Sequence, residues 1–342
     1  MKEIKTTEAT GHILCHDLTQ IIKGVTKDAR FRKGHIITPE DIPVLLSMGK
    51  EHLFVWENNE NMLHEDEAAE ILRRICQGQG MTASAPKEGK IELTAEYDGV
   101  LKIDLDRLNE LNEQDDIAIA TLPQYMPVKA GMKLAGMRVI PLVIAKDKMH
   151  HACQTAGNVP LLNLYPYRSL KIGVITTGSE VFNGLIKDTF TPVVAAKLQK
   201  YGLQINEHRL SDDDPQHTLE HIRKLLQLNM DMIICTGGMS VDPDDKTPAA
   251  IKAAGADIIT YGAPVLPGAM CLLSYYQTSD KTIPILGLPG CVMYAATTIF
   301  DILLPRLIAG IPISRRDIRH LGAGGLCINC EVCHYPNCSF GK

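Results

Sequence analysis

The sequence predicts an α/β protein in which a doubly wound, mostly parallel sheet follows N-terminal mixed and β-rich domains and precedes a cysteine-rich tail. Three observations support this fold class. Four short apolar runs each end in a polar loop, as strands of a parallel sheet do; they are residues 172–175, 205–210, 232–235 and 283–286. Helical patterns alternate with these runs, which implies right-handed crossovers. Four of the ten cysteines lie in the last sixteen residues.

Composition limits the classes of protein that fit. A chain of 342 residues, 45% of them apolar, can bury cores for two or three domains. A net charge of -5 without a long basic run argues against nucleic acid as the main partner. The chain opens without an apolar signal segment, and no apolar stretch reaches membrane-spanning length. We therefore expect a cytoplasmic protein with no nucleic-acid or membrane partner.

Four segments are predicted in chain order: an N-terminal α+β segment, a β-rich domain with a connector, the α/β domain and the cysteine-rich tail, at residues 1–81, 82–169, 170–312 and 313–342. The first contains a helix at residues 65–76, acidic at its start and basic at its end, as the helix dipole favours. The second contains a strand at residues 139–145 and ends in a connector at residues 149–167.

Helices of the α/β domain are predicted from their start signals. Three begin where a capping residue precedes proline, at Thr191, Asp214 and Thr247. A fourth is long and apolar, spans residues 292–309 and contains Pro305, which can kink it. This alternation with the four apolar runs is the basis for predicting a doubly wound sheet.

The loops that follow the four apolar runs are predicted to form one ligand site. Helix N-termini and free backbone N–H groups point to that edge of a parallel sheet. Gly237 and Gly238 allow the backbone to approach an oxyanion closely. Glu180 is suited to hold an amino-pyrimidine edge or a metal. The loops contribute Thr176, Thr177, Gly178, Ser179, Thr236, Ser240, Gly287, Pro289, Gly290 and Cys291 as candidate ligand-binding residues.

Each feature also has a simpler explanation. A Gly-Gly pair occurs in tight turns after strands, Glu180 can be an ordinary loop acid, and Asp188 can sit in a turn. Helix capping explains Asp214 but not Asp212 or Asp213. What favours a ligand site is the run after the glycines, because clustered carboxylates repel one another unless a cation or N–H donors compensate. A solvated acidic loop is the alternative for that run, which contains Ser240, Asp242, Asp244 and Asp245.

Three motifs in this order resemble the molybdopterin-binding domain shared by molybdopterin adenylyltransferases and gephyrin-like molybdopterin molybdotransferases. They are Thr177-Gly178-Ser179-Glu180, the run from Thr236-Gly237-Gly238 to Asp245, and Leu288-Pro289-Gly290. The resemblance is strong over residues 171–310 and weaker over residues 8–56 and 126–146. It implies a homodimer whose subunits share the site.

The resemblance also implies a reaction: insertion of molybdate into the dithiolene of adenylylated molybdopterin, with release of AMP and assistance by Mg²⁺. By that resemblance Glu180, Asp213 and Asp245 are the catalytic residues. Glu180 is expected on the pterin or substrate, and Asp213 and Asp245 near the metal and phosphates. Asp242 joins Asp245 as a candidate metal ligand. Thr236, Gly237, Gly238 and Ser240 are expected around the ligand.

Several positions depart from the family pattern. Asp242 stands where the family has glycine, and Ala269 stands where it has a lysine that would anchor phosphate. Cys291 and Val292 replace the family's asparagine and proline. The Ser-x-Met-Asp-Gly-Tyr-Ala segment of typical molybdotransferases and their C-terminal β-domain are both missing from this sequence. Ligand binding is therefore better supported by the sequence than the full insertion reaction is.

The cysteine-rich tail carries a second pattern, Cys327, Cys330, Cys333 and Cys338. Its spacing is similar to thiolate runs that hold iron–sulfur clusters, which are our first prediction. Zinc is the second, with His334 as a substitute ligand, and a flexible reduced tail is the third. A glycine-rich hinge at residues 322–325 predicts that the tail folds separately. Cys291 either ligates a soft metal, carries sulfur or is a core cysteine.

Two functions follow as hypotheses. The first is a molybdotransferase-like enzyme of molybdenum cofactor biosynthesis. The second is a non-catalytic molybdopterin carrier or maturation factor, whose tail docks on a target molybdoenzyme or exchanges sulfur with it. A nucleotide pyrophosphatase of the same fold is a more remote third.

Overall fold

The computed structural model describes residues 2–22, 26–55, 61–240 and 246–342, and Asp242 and Asp245 therefore lie outside the described residues. The chain divides into two compact units. The first contains Met1–Tyr97, Leu101–Leu122 and Lys129–Leu164, and the second contains Asp98–Val100, Pro123–Val128 and Tyr165–Lys342. Among the described ranges, none of the helices has the length and apolar character that crossing a membrane requires.

The first part of the chain is a series of short strands with four helices between them. Its elements are β1 (Lys2–Lys5), β2 (Leu18–Ile22), β3 (Thr26–Phe31), α1 (Asp41–Ser47), β4 (His52–Val55), β5 (Met62–His64), α2 (Glu65–Cys76), β6 (Met81–Ala83), β7 (Lys90–Ala95), β8 (Gly99–Ile103), α3 (Leu105–Asn112), β9 (Ile117–Thr121), β10 (Pro127–Val128), β11 (Lys133–Val139), β12 (Val143–Ala145), α4 (Lys146–Ala156) and β13 (Leu162–Pro166). An antiparallel sheet in the order β6-β7-β11-β9 packs against α2.

Helix α2 has the predicted bounds, because its first turn is capped by side chains. The ring of His64 accepts a hydrogen bond from Asp66 N at 3.2 Å, and His64 N donates to Glu67 Oε2 at 2.9 Å. Two other predictions in this part were wrong. The strand predicted at residues 139–145 is interrupted at Pro141, which has no N–H for the ladder. The predicted connector at residues 149–167 contains most of α4 and all of β13.

The second unit alternates strands and helices. Its further elements are β14 (Ile172–Thr177), α5 (Ser179–Phe182), α6 (Phe190–Gln199), β15 (Ile205–Ser211), α7 (Pro215–Gln227), β16 (Met232–Thr236), α8 (Thr247–Ala253), β17 (Asp257–Tyr261), β18 (Leu272–Gln277), β19 (Thr282–Leu288), α9 (Ile299–Ile308) and α10 (Arg315–Arg319). The predicted helix starts at Thr191, Asp214 and Thr247 each lie within one residue of an observed start.

One six-stranded sheet has the order β15-β14-β16-β19-β18-β17. Its first four strands are parallel to one another, β18 is antiparallel to β19, and β17 is antiparallel to β18. The prediction of a mixed α/β architecture is confirmed. The register pairs Thr177 with Ser211 and pairs Thr236 with both Thr176 and Leu288. The carboxyl ends of the four parallel strands therefore meet at one edge of the sheet.

Apolar side chains on the two faces of this sheet belong to separate cores. Val174 and Ile234 pack in one core with residues of α6 and α9. Ile175 and Ile233 pack in the other with residues of α7 and α8. Because neighbours along a strand point to opposite faces, β14, β16 and β19 supply both layers and are continuously apolar. The run predicted at residues 205–210 is different: β15 alternates half-buried and exposed residues and includes Glu207 and Arg209.

The long helix predicted at residues 292–309 was wrong at its start. Residues Gly290–Met293 form a 3-10 turn, and α9 begins only at Ile299. Thr298 and Asp301 form a capping box that fixes this start: Thr298 accepts from Phe300 N at 3.2 Å, and Asp301 accepts from Thr298 N at 2.8 Å. Residues 294–298 are therefore irregular.

The cysteine-rich tail does not fold separately, contrary to the prediction. Phe340 is only 3% exposed and belongs to the core around α9. Two backbone hydrogen bonds join the tail to Leu266: Cys327 N donates to Leu266 O at 2.8 Å, and Leu266 N donates to Gly325 O at 2.7 Å. One buried aromatic residue and these bonds dock the tail on the second unit.

Candidate functional site

Three of the predicted loops are joined by hydrogen bonds at the carboxyl edge of the sheet. Gly178 N donates to Ser211 O at 3.0 Å, which ties the loop after β14 to the end of β15. Ser179 N donates to Asp213 Oδ2 at 3.0 Å across the same gap. On the other side, Thr177 Oγ1 donates to Thr236 O at 3.1 Å. The structure therefore brings these sequence motifs together.

The Gly-Gly pair leaves no room for side chains. Gly237 has φ +86°, and a Cβ there would overlap the carbonyl oxygen of Thr177. Gly238 has φ +58°, and a Cβ there would lie 2.6 Å from Thr247 Oγ1. The backbone of this loop is therefore bare and closely packed from behind. That is the requirement for presenting N–H groups to an oxyanion.

Thr247 is a site residue that the sequence assigned only to a helix start. It is buried, its Oγ1 donates to Gly237 O at 3.0 Å, and the same oxygen lies 3.4 Å from Thr177 Oγ1. Thr247 thus supports the glycine loop from the first residue of α8. Its Thr-Pro sequence hid this role, because that pair is already explained as a helix start.

The predicted acids are not assembled into a metal site by the described residues. Glu180 is exposed on α5, and the carboxylate of Asp213 already accepts from Ser179 N. Within residues 2–22, 26–55, 61–240 and 246–342, no three His, Cys, Asp or Glu side chains come together to hold a metal. Asp242 and Asp245 lie outside those ranges.

A polar cluster that the sequence did not predict lies beside Thr176. Thr176 Oγ1 is 3.0 Å from His208 Nε2 and 2.9 Å from Thr191 Oγ1. Asp188 accepts from Thr191 Oγ1 at 2.6 Å and from the backbone N–H groups of Phe190 and Thr191. Burial alone would raise the pKa of Asp188, but these hydrogen bonds outweigh it and hold the pKa below its usual range. Asp188 is therefore more than a turn residue.

Asp212, which helix capping did not explain, forms an exposed pair with His217. His217 Nδ1 lies 2.9 Å from Asp212 Oδ1 and 3.0 Å from Oδ2. This hydrogen bond raises the pKa of His217 and lowers the pKa of Asp212. Asp214 caps α7 as predicted, accepting from Gln216 N at 2.8 Å.

The fourth loop meets the others through β19. Gly287 is packed so closely that a Cβ would strike the thioether of Met239. Pro289 is buried, Gly290 is exposed, and Cys291 is half-buried in the 3-10 turn, where burial raises the pKa of its thiol. Ser240 is exposed, and its carbonyl accepts from Tyr261 Oη at 3.1 Å.

Thr236 occupies the centre of the edge. It is fully buried, and its Oγ1 has no hydrogen-bond partner within the described part of the chain. A buried hydroxyl without a partner is costly, by about 1–3 kcal/mol. Within the described residues this hydroxyl is therefore unsatisfied.

The tail cysteines share one cavity but do not form a metal centre. Cys327, Cys330, Cys333 and Cys338 all line a space of about 200 Å³, together with residues 294–297. Among the residues the structure describes, however, they are not close enough to one another to hold a metal. The predicted iron–sulfur or zinc site at these cysteines is therefore not supported.

The fold and this edge define a class: a mixed α/β domain in which the loops after the parallel strands meet at one edge of the sheet. Residues 173–309 match a family described as a probable molybdopterin binding domain. Residues 3–57 match a domain of unknown function, DUF8806. The match to the molybdopterin-binding family covers almost all of the α/β domain at residues 170–312 and about two-fifths of the chain.

Relatives of known name match about a third of the chain. The molybdopterin molybdenumtransferase of Staphylococcus aureus (strain MRSA252) is 26% identical over 132 residues, which cover 35% of this chain and 31% of the relative. That of Staphylococcus epidermidis (strain ATCC 12228 / FDA PCI 1200) is 26% identical over 133 residues, covering 35% and 32%. The chain thus spans about a third of the length of the curated relatives it matches.

A solved structure is also similar: the tungsten cofactor synthesizing protein MoaB from Pyrococcus furiosus. It is 18% identical, covers 36% of this chain and 84% of its own, and has a TM-score of 0.32.

Proposed function

We propose that this chain binds a molybdopterin-type ligand at the carboxyl edge of the six-stranded sheet and acts in molybdenum cofactor biosynthesis. The observation that carries the proposal is the glycine loop at residues 237–238. Its backbone is closed to side chains on the inner side by Thr177 and Thr247, and it lies in the domain that matches the molybdopterin-binding family. Relatives named molybdopterin molybdenumtransferase match about a third of the chain, which also supports the proposal.

The chain's own residues supply binding and orientation. The bare backbone at Gly237 and Gly238 would hold phosphate oxygens, and the unpartnered Thr236 hydroxyl would gain a hydrogen bond. Asp213 links the loops after β14 and β15, so it positions Ser179 and Glu180. Glu180, exposed at the edge, is the group free to take an amino-pyrimidine edge.

The finer proposals concern chemistry. We propose that the ligand is nucleotidylated and that the reaction is molybdotransferase-like insertion of molybdate. Mg²⁺ would be held by Asp245 and Asp242, because the acids among the described residues do not fit a metal site by themselves. We derive no step through that ion. A homodimer in the cytoplasm remains part of the proposal.

A specific observation favours the alternative, a non-catalytic carrier or maturation factor for a molybdoenzyme. Ala269 and Cys291 stand where related enzymes carry lysine and asparagine. Without a cation at Ala269, charge developing on a departing phosphate lacks one source of stabilisation. The tail, docked with exposed thiols at Cys330 and Cys333, offers a surface for a partner or for sulfur exchange.

A matched pair of variants tests ligand binding. Gly237→Ala should abolish binding of adenylylated molybdopterin, measured anaerobically by calorimetry, because the methyl group displaces Thr177 and the loop. Gly202→Ala is the control: its φ is +70°, but a Cβ there meets nothing within 4 Å. It shares the left-handed backbone cost of about 1–2 kcal/mol without touching the site. Equal binding by both variants would remove the glycine loop from the site.

Two further measurements separate the finer proposals. Asp245→Asn should weaken Mg²⁺-dependent binding by about 1.5–3 kcal/mol, and unchanged affinity with or without Mg²⁺ would exclude Asp245. Release of AMP from adenylylated molybdopterin in the presence of molybdate reports on catalysis. We expect release slower than that of a typical molybdotransferase; complete absence of release with intact binding would establish the carrier.

A further inference from the structure

We propose that the C-terminal tail positions the linking segment, residues 289–298, so that contacts made by the tail set the conformation of Cys291 at the candidate site. The linking segment joins β19 to α9 and contains the fourth loop of the site. Its consequence for ligand binding rests on the proposed function, but the positioning itself does not.

One tail side chain contacts the far end of the linking segment, and another contacts the first turn of α9 directly after it. Cys333 Sγ lies 2.9 Å from Thr297 Oγ1, and Tyr335 Oη donates to Asp301 O at 3.0 Å in the first turn of α9. The ring of Tyr335 packs edge-on against Phe340, with centroids 6.3 Å apart. Because Phe340 is buried in the main core, the part of the tail that makes these two polar contacts is held in place.

A buried ion pair holds the same end from beneath. Lys197 Nζ donates to both carboxylate oxygens of Asp301 at 2.7 Å and to Ala296 O at 3.0 Å. The two side chains are 6% and 9% exposed. Asp301 in turn accepts from Thr298 N. The tail and Lys197 therefore both hold residues 296–301 in place through polar contacts.

The middle of the linking segment is bonded to Cys291, because Tyr294 N and Ala295 N donate to Cys291 O at 3.1 and 2.9 Å. Cys291 itself lies in a 3-10 turn that the fully buried side chain of Val292 anchors in the core. Residues 294–298 have no regular helix, and Tyr294 is 85% exposed. Loosening the contacts at residues 296–301 would therefore reach Cys291 through the bond from Ala295 N. A group attached to the Cys333 thiol would remove its contact with Thr297, so modification of this thiol would also alter the linking segment.

The test uses full-length protein and the alkylation rate of Cys291 by iodoacetamide, resolved by peptide mass spectrometry. Tyr335→Phe keeps the ring and removes the bond to Asp301 O. Tyr97→Phe is the control, because Tyr97 Oη donates to Leu164 O in the first unit, also at 3.0 Å. We expect Tyr335→Phe to raise the rate at Cys291 about fivefold, the equivalent of one hydrogen bond of about 1 kcal/mol, and Tyr97→Phe to leave it unchanged.

Thr297→Val gives an independent arm, because it keeps the shape of the side chain and removes only the contact with Cys333. It should raise the Cys291 rate in the same direction. Wild-type rates at Cys291 in both Tyr335→Phe and Thr297→Val would overturn the proposal. Binding of adenylylated molybdopterin is measured in parallel: a faster Cys291 reaction with no binding by any form, wild type included, rejects the proposed function and leaves the positioning role standing.

Discussion

Replacing Lys197 by methionine is expected to destabilise the second unit, because the negative charge of Asp301 is left buried without its partner. The side chain lies in α6 and bonds to Asp301 in α9 with both partners buried. Methionine fills a similar volume but supplies no donor, so the carboxylate of Asp301 loses its counter-ion. It keeps Thr298 N as a donor at 2.8 Å. We therefore expect the lower end of the range for a broken buried pair, about 3 kcal/mol.

The double variant Lys197→Met with Asp301→Asn separates charge from packing. Asparagine can still accept from Thr298 N and cap α9, and no buried charge remains. We expect the loss to fall to about 1–2 kcal/mol, even though the chain carries one more substitution.

Native-state hydrogen exchange of the α9 amides is the suitable assay. The chain has two units and one tryptophan, Trp56, so a single global unfolding curve would not report on this region. The reasoning fails if Lys197→Met leaves α9 protection within about 0.5 kcal/mol of wild type. It also fails if the double variant loses more than the single one.

Two further predictions concern the same unit. The pair Asp212–His217 should stabilise the fold fully between about pH 3.9 and about pH 6.5, the pKa values of the two groups in the unfolded chain. This stabilisation is lost as the pH falls through the lowered pKa of Asp212, and it is also lost as the pH rises through the raised pKa of His217. In Asp212→Asn the pKa of His217, followed by NMR, should fall toward about 6.5; an unchanged value would point to another cause. Phe340→Ala should cost about 3–5 kcal/mol in hydrogen exchange of α9, whereas Phe182→Ala, 48% exposed, should cost about 0.5 kcal/mol or less. Equal small losses would mean that the tail is not part of the core.

Much of the α/β domain was predictable because its signals are local. The four predicted runs match β14, β15, β16 and β19. Three of them, β14, β16 and β19, are buried on both faces and are therefore continuously apolar, whereas β15 alternates half-buried and exposed residues. Helix α2 had the predicted bounds for a similar reason: its charges and cap lie within its own sequence. The meeting of the loops then followed from the shared direction of parallel strands.

The missed features depend on partners distant in sequence. Lys197 in the apolar helix α6 finds Asp301 more than a hundred positions later, and the start of α9 depends on that carboxylate. Likewise, His208 joins Asp188 and Thr176 only because β15 lies beside β14. The docking of the tail was not predicted, because the burial of Phe340 depends on core residues that are distant in sequence.

The order of the strands also affects how the domain behaves in a crowded solution. Outer strands of a sheet expose backbone groups that can recruit another chain. Strand β15 is an outer strand of the described sheet and carries Glu207 and Arg209. Arg209 Nη2 donates to Glu207 Oε2 at 3.3 Å. Charges of this kind discourage aggregation through that side. Strand β17 on the opposite side, with Ile258 39% exposed, has fewer such charges, so the two sides differ in their resistance to unwanted pairing.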